Sequence, residues 1–223
     1  MAENRSAPPN PVTPDAIHQL ATGFMAAKHL FVANEVGLFE KLALGPANLD
    51  RLAELTGIAQ PRVRILADAL VALGMIERQD DRYQNGPAAA AFLSGQGPGD
   101  LCPYLRFFNQ ISYPQWANLE ETIRTGHVQE NTGRSPEQQR IVSQGVEANQ
   151  APQANALPTA YDFAGHQRML DLGGGTGSWL AALLRHCDHL TGTVFDLPDV
   201  AGIARERLAG ELRTQRAQVM YGD

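Results

Sequence analysis

Leu170-Asp171-Leu172-Gly173-Gly174-Gly175-Thr176-Gly177 is the stretch on which the reading of this chain turns. Met169 to Leu172 reads as a buried strand that runs directly into a glycine-rich turn, and Trp179, Leu180, Leu183 and Leu184 then recur at helical spacing. Leu190 to Phe195 reads as a second strand ended by Asp196-Leu197-Pro198. Val200 to Leu212 reads as a helix, and Ala217 to Tyr221 as a third strand closed by Gly222-Asp223. Strand, helix, strand, helix, strand is half of a doubly wound parallel sheet. Gly173, Gly175 and Gly177 stand between strand and helix, where a ligand approaches the backbone closely and side chains would block it. Asp196, at the end of the next strand, is placed to accept hydrogen bonds from both hydroxyls of a ribose, and also to cap the helix that opens at Pro198.

Upstream of the strand the periodicity is helical. Residues Met1 to Pro14 carry four prolines and little to bury, and read as a mobile tail. From Asp15, Ile17, Leu20, Phe24 and Ala27 open an apolar helix face that stops at Gly45-Pro46. Asn48 to Thr56 reads as a short helix closed by Gly57, and Pro61 to Leu73 as a second one. Met75 to Gln84 reads as a hairpin with Asp80-Asp81 at its tip. Helix, turn, helix and hairpin make a winged helix over residues 15–98. Residues 99–165 read as a helical connection in which Ser135-Pro136-Glu137-Gln138 opens a helix with a capping box and Pro152 and Pro158 interrupt it. The aromatic residues Tyr104, Phe107, Phe108, Tyr113 and Trp116 either line a pocket or pack in a core. Residues 166–223 then hold the half sheet.

Composition narrows the function classes. The chain has 223 residues, 43% of them hydrophobic, and a formal net charge of −6. That suits a globular core and disfavours a nucleic-acid partner. The winged helix could still place Pro61 to Leu73, with Arg62 and Arg64, in a major groove. Between Asp15 and Asp100, however, seven cations face ten acids, a net of −3, and the acidic wing tip would meet phosphate. Cys102 and Cys187 make no disulfide framework. With no secretory signal and no long apolar run, a cytoplasmic protein without membrane contact is expected.

Two ligand classes suit the glycine turn. A dinucleotide fingerprint wants Gly-x-Gly-x-x-Gly, and counting from Gly173 its last position is Ser178. Asp171, immediately before the glycines, would repel a pyrophosphate. S-adenosylmethionine (SAM) carries no phosphate but has a sulfonium and an ammonium, which an acid attracts. The electrostatics favour SAM.

These residues, with Val194-Phe195-Asp196-Leu197-Pro198 and Gly222-Asp223, resemble the SAM-dependent O-methyltransferases related to the plant caffeate and acetylserotonin enzymes and their bacterial natural-product relatives. The spacing of Trp116, Leu119, Ile123 and Gly126 and the lead-in Ala160-Tyr161-Asp162-Phe163 look like the same family. The resemblance implies a homodimer, paired through the winged-helix domain, that methylates a hydroxyl on a small aromatic acceptor. It also implies that Asp171, Gly173, Gly174 and Gly175 line the methionine end of SAM, that Asp196 holds the ribose with Leu197 beside the adenine, and that Asp223 meets the adenine amino group. Some relatives keep this cofactor site and perform other chemistry.

The family continues past the position of Asp223 through further strands and a catalytic histidine with its carboxylate partner. None of His18, His29, His127, His166, His186 and His189 stands at the matching place, and no catalytic residue is assigned. The expectation is a piece of a longer enzyme, or a truncated product, with weak or no SAM binding and an exposed first strand. A non-catalytic dimerising remnant and a winged-helix DNA-binding regulator are the other readings.

Overall fold

The computed structural model of the chain describes residues 12–127 and 134–222. A long helix α1 (Asp15–Glu35) ends at Val36, and the left-handed Gly37 turns the chain into α2 (Leu38–Leu42). Strand β1 (Ala47–Asn48), helices α3 (Leu49–Thr56) and α4 (Gln60–Ala72), and strands β2 (Ile76–Gln79) and β3 (Arg82–Asn85) follow. The Asn48 side chain caps α3 by accepting from the Arg51 N–H at 3.0 Å. The hairpin is joined by β1, giving an antiparallel sheet in the order β1-β3-β2 with Ala47 opposite Tyr83. At two residues, β1 is too short to carry a period in the sequence. The result is a winged helix packed on α1 and α2. Phe39, Leu38, Leu52, Leu70, Ile76 and Tyr83 are fully buried in its core.

Three of the seven cations of this unit, Arg51, Arg64 and Arg78, are paired with its own acids. Asp68 accepts from the Tyr83 hydroxyl at 2.6 Å and pairs with Arg64 and Arg78, while Arg51 pairs with Glu54. The Tyr83 hydrogen bond, against some burial and with help from Arg64 and Arg78, holds the Asp68 carboxyl below its ordinary value.

A short α5 (Pro87–Phe92) leads to α6 (Cys102–Phe107), a π-helical turn (Phe108–Ser112), α7 (Tyr113–Trp116) and α8 (Leu119–Thr125). Here the aromatics form a cluster. Phe108 stacks with Phe31 and meets Tyr104 and Phe107 edge-on, so core packing is the outcome for them, while Trp116 stands exposed. Helix α9 (Pro136–Ala160) opens on the expected capping box, Ser135 and Gln138 each accepting from the other's backbone N–H. Contrary to expectation, Pro152 and Pro158 do not interrupt it. Each removes one backbone hydrogen bond, to the carbonyl of Ala148 or Ala154, and the 25-residue helix, packed on α6 and on the helix Ser178–His186, runs through both positions.

The second unit runs β4 (Arg168–Leu172), α10 (Ser178–His186), β5 (Thr191–Asp196), α11 (Pro198–Arg207), α12 (Ala209–Arg213) and β6 (Ala217–Tyr221). The stretch from Val200 to Leu212 is thus two helices divided at Leu208 rather than one. The three strands are parallel in the order β4-β5-β6, with Asp171 beside Val194 and Val194 beside Val219. Leu180, Leu184, Leu190, Val194 and Leu208 bury the helix-covered face. The other face is bare. Leu170 and Leu172 are 62% and 73% exposed on the edge strand, so β4 is not buried as its apolar run suggests, and it is the exposed edge that the resemblance implies. Among the described residues no helix is long and apolar enough to cross a membrane.

Candidate cofactor site

Between β4 and α10 the backbone doubles back through Gly173, Gly175 and Gly177, all with φ between 58° and 73°, a region that side-chain-bearing residues avoid. Gly174 is needed for a different reason. A Cβ there would lie 2.7 Å from the Asp171 carboxyl carbon. The turn is tied to β5 at two points, the Gly173 N–H donating to the Phe195 carbonyl at 2.8 Å and the Gly175 N–H to Asp196 Oδ2 at 2.7 Å. Asp196 Oδ1 accepts from its neighbour's N–H, that of Leu197, also at 2.7 Å. Asp196 does not cap α11, whose cap position is Leu197 with no side-chain bond. Each Asp196 oxygen spends one lone pair on the backbone and keeps another for a ligand.

Asp171 projects from the helix-covered face of β4 and is more than half buried. Its Oδ2 is buried with no hydrogen-bond partner. Burial raises its carboxyl above the ordinary value; a backbone N–H from Leu180 opposes this, and the charge of Asp196 adds to it. A buried carboxylate oxygen without a partner is costly unless a donor or cation arrives.

Asp171, Gly173, Gly174, Gly175 and Asp196 line one cavity of about 500 Å³ together with Thr176, Ser178, Trp179 and Val200. The structure therefore brings five of the expected positions together. Leu197 is half exposed and outside the cavity wall, and Asp223 lies outside the described residues. The cavity's remaining wall is α9, through Gln139, Val142, Ser143, Val146, Glu147 and Gln150. These positions follow the three-and-four spacing of one helix face, but they mix amides, acid and valine, so hydrophobic patterning gives no sign of them. Three carboxylates, Asp171, Asp196 and Glu147, face this space, and no lysine, arginine or histidine among the described residues lines it. None of the clustered aromatics reaches it.

Residues 18–95 match the O-methyltransferase dimerisation domain, and residues 116–223 match the O-methyltransferase domain. The chain belongs to this family. It is 33% identical to the 3-hydroxy-5-methyl-1-naphthoate 3-O-methyltransferase of Streptomyces sahachiroi, over 97% of this chain and 65% of the relative. It is 32% identical to an N,N-dimethyltransferase of Streptomyces rimosus, OxyT, over 89% of this chain and 59% of the relative. The chain thus spans under two thirds of the length of these relatives. The crystal structure of human N-acetylserotonin methyltransferase in complex with SAM superposes with a TM-score of 0.83 at 24% identity, over 98% of this chain and 68% of that one. At that identity the likeness is one of fold. Family membership accounts for the order of units seen here, a helical dimerisation region followed by part of a methyltransferase domain with one three-stranded parallel sheet.

Proposed function

We propose that this chain builds the dimerisation scaffold and the methionine-and-ribose half of the SAM site of an enzyme that methylates a hydroxyl on a small aromatic molecule. The observation that carries the reading is the charge of the cavity: Glu147 is paired with Arg207, which leaves Asp171 and Asp196 as the carboxylates without an ion pair beside the glycine turn, and no cation among the described residues lines the space. A pyrophosphate would sit among those acids at a large Coulombic cost in a partly desolvated space. A sulfonium and an ammonium would be held by them. The unpartnered Asp171 Oδ2 takes the cationic, methionine end, beside the backbone of Gly173 to Gly175. Asp196 accepts from the ribose hydroxyls, with Leu197 beside the adenine and Asp223 toward the adenine amino group. When bound, SAM supplies the methyl group, transferred to the acceptor oxygen by displacement at the sulfonium carbon. The part of the chain's own residues is to hold and orient; we assign none of them as the base, since no histidine lines the cavity among the described residues. The relative that is an N,N-dimethyltransferase supports keeping the acceptor atom apart from the cofactor reading.

Saturation-transfer NMR on the 223-residue chain tests this. Signals from SAM protons, none from NAD, and their loss in Asp171→Asn are expected. NAD signals, or SAM signals indifferent to Asp171→Asn, overturn the assignment. Because β4 is the edge of the sheet formed by the described residues, affinity of the 223-residue chain weaker than micromolar is expected, and a micromolar Kd by calorimetry would contradict that expectation alone.

The same reading includes a homodimer. Ile17, Leu20 and Phe24 are exposed at 70%, 84% and 51% along one side of α1, a stripe with no cover in the single chain. Light scattering coupled to gel filtration is expected to give twice the chain mass, falling toward one for Leu20→Glu with Phe24→Glu. A monomeric wild type removes the dimer.

A further inference from the structure

Helix α9 is fastened to its two neighbours by different chemistry. Toward the dimerisation side the contact is apolar and close. Ile141 is buried, and a Cβ on Gly145 would fall 2.5 Å from the Phe107 Cβ and 3.3 Å from the Pro103 carbonyl oxygen of α6. Toward the sheet side α9 also lies close against α10, and the side-chain bonds that cross there are polar. Arg140 donates to both carboxyl oxygens of Glu206 at 2.7 and 2.8 Å, and Arg207 pairs with Glu147 at 2.9 Å. The Trp179 indole N–H donates to Gln150 at 2.8 Å and Arg185 donates to Asn155 at 3.0 Å. Hollows border that seam, the larger of them also reaching Gly97, Pro98, Asp100 and Pro103 on the dimerisation side. Cavities of about 900 and 500 Å³ flank α9 and share Glu147 and Ser178 in their walls.

We propose that α9 is a strap that stays with the dimerisation side and parts from the sheet half along this polar seam, and that Arg140, Glu206, Glu147 and Arg207 are positioning residues that hold it shut over the cofactor cavity. Interdigitated apolar contacts resist sliding, whereas exposed ion pairs contribute little each and weaken with salt. The seam therefore yields before the contact between α6 and α9 does. One face of α9, from Gln139 to Gln150, roofs the cavity, so opening the seam unroofs Asp171 and the glycine turn together. The assignment of a cofactor to that cavity is the proposed function above; the strap itself rests on the contacts of α9 and can be tested without any ligand.

Hydrogen–deuterium exchange on the full chain is the test. High salt, Arg140→Gln or Glu206→Gln is expected to raise exchange of the Gly173 to Leu180 amides by about fivefold, while α6 and Ile141 to Gly145 stay protected. The charge-swapped double variant R140E/E206R is expected to restore low exchange, which a merely structural loss would not allow. Protection lost first within α6 and α9, or an unchanged glycine turn, overturns the strap. A second measurement, Trp179 fluorescence in a Trp116→Phe background, follows SAM release by stopped flow. Release quickened by the same factor supports the strap. No response to SAM with exchange altered as expected leaves the strap standing and overturns the cofactor assignment; SAM release unaffected by salt and by both variants overturns the strap and leaves the cofactor assignment standing.

Discussion

The winged-helix unit and the half sheet use the same apolar residue types to different ends. In the first, Leu38, Leu52 and Leu70 are sealed between helices and hairpin on every side. In the second, α10 and α11 cover one face of the sheet, and Leu170, Leu172 and Met220 project from the other into open space. A leucine in a sequence thus specifies a need for cover, and only the neighbouring elements decide whether the need is met. The comparison predicts a wide gap between identical substitutions. Leu52→Ala should cost about 2–5 kcal/mol in urea unfolding, because the wholly buried methyl groups leave a cavity behind. Leu172→Ala, at 73% exposure, should change the midpoint little. Comparable losses at the two sites would mean that the bare face is covered in solution.

The two units also carry opposite responses to acid. Asp68 in the winged helix is held below the ordinary carboxyl value by Tyr83 and the arginines. Its contribution is present above 3.8, the value of the free side chain, and is lost as pH falls through the lowered folded value. Asp171 in the half sheet is raised by burial, so the folded state binds its proton more readily than the unfolded chain does. It therefore costs stability as pH rises from 3.8 through its raised value, and the full cost is present at neutrality. Asp171→Asn is expected to be more stable than wild type at neutral pH, with the difference vanishing in acid, while SAM signals disappear. Asp68→Asn is expected to be less stable at neutral pH, again converging in acid. Thermal melts across the acid range check both signs. A destabilised Asp171→Asn would mean that the backbone N–H of Leu180 outweighs burial, and would remove the argument that this carboxylate waits for a cation.

What could be read in advance follows from where the physics is local. The glycine turn, Asp171 and Asp196 lie within or beside strands whose apolar runs mark them, so the parallel sheet and five positions around one cavity were legible. The capping box at Ser135 was legible for the same reason, because both partners sit within four residues. The α9 wall was not. Gln139 to Gln150 becomes a roof only through pairs with Glu206 and Arg207 some sixty residues on, and nothing local marks those partners. Pro152 and Pro158 misled because a proline's local cost can be outweighed by the packing of the whole helix on α6 and α10, which no local pattern shows. The two-residue β1 needs β3 to exist at all.

The smallest effect expected is also the one that isolates the bare face. Leu170 and Leu172 alternate with Met169 and Asp171 along β4, so a lysine at either exposed position points away from the helices and leaves the glycine turn untouched. Folding stability of Leu170→Lys with Leu172→Lys should therefore stay within about 0.5 kcal/mol of wild type. Association should respond more than stability does, because an unpaired edge strand beside an apolar face invites contact with another chain, and charge on it discourages that contact. Light scattering of concentrated samples should fall for the double variant, while the mass assigned to the α1-mediated dimer stays the same. If the lysines instead dissolve the dimer, the pairing surface lies on the sheet rather than on Ile17, Leu20 and Phe24, and the division between a self-sufficient unit and a dependent one has been drawn in the wrong place.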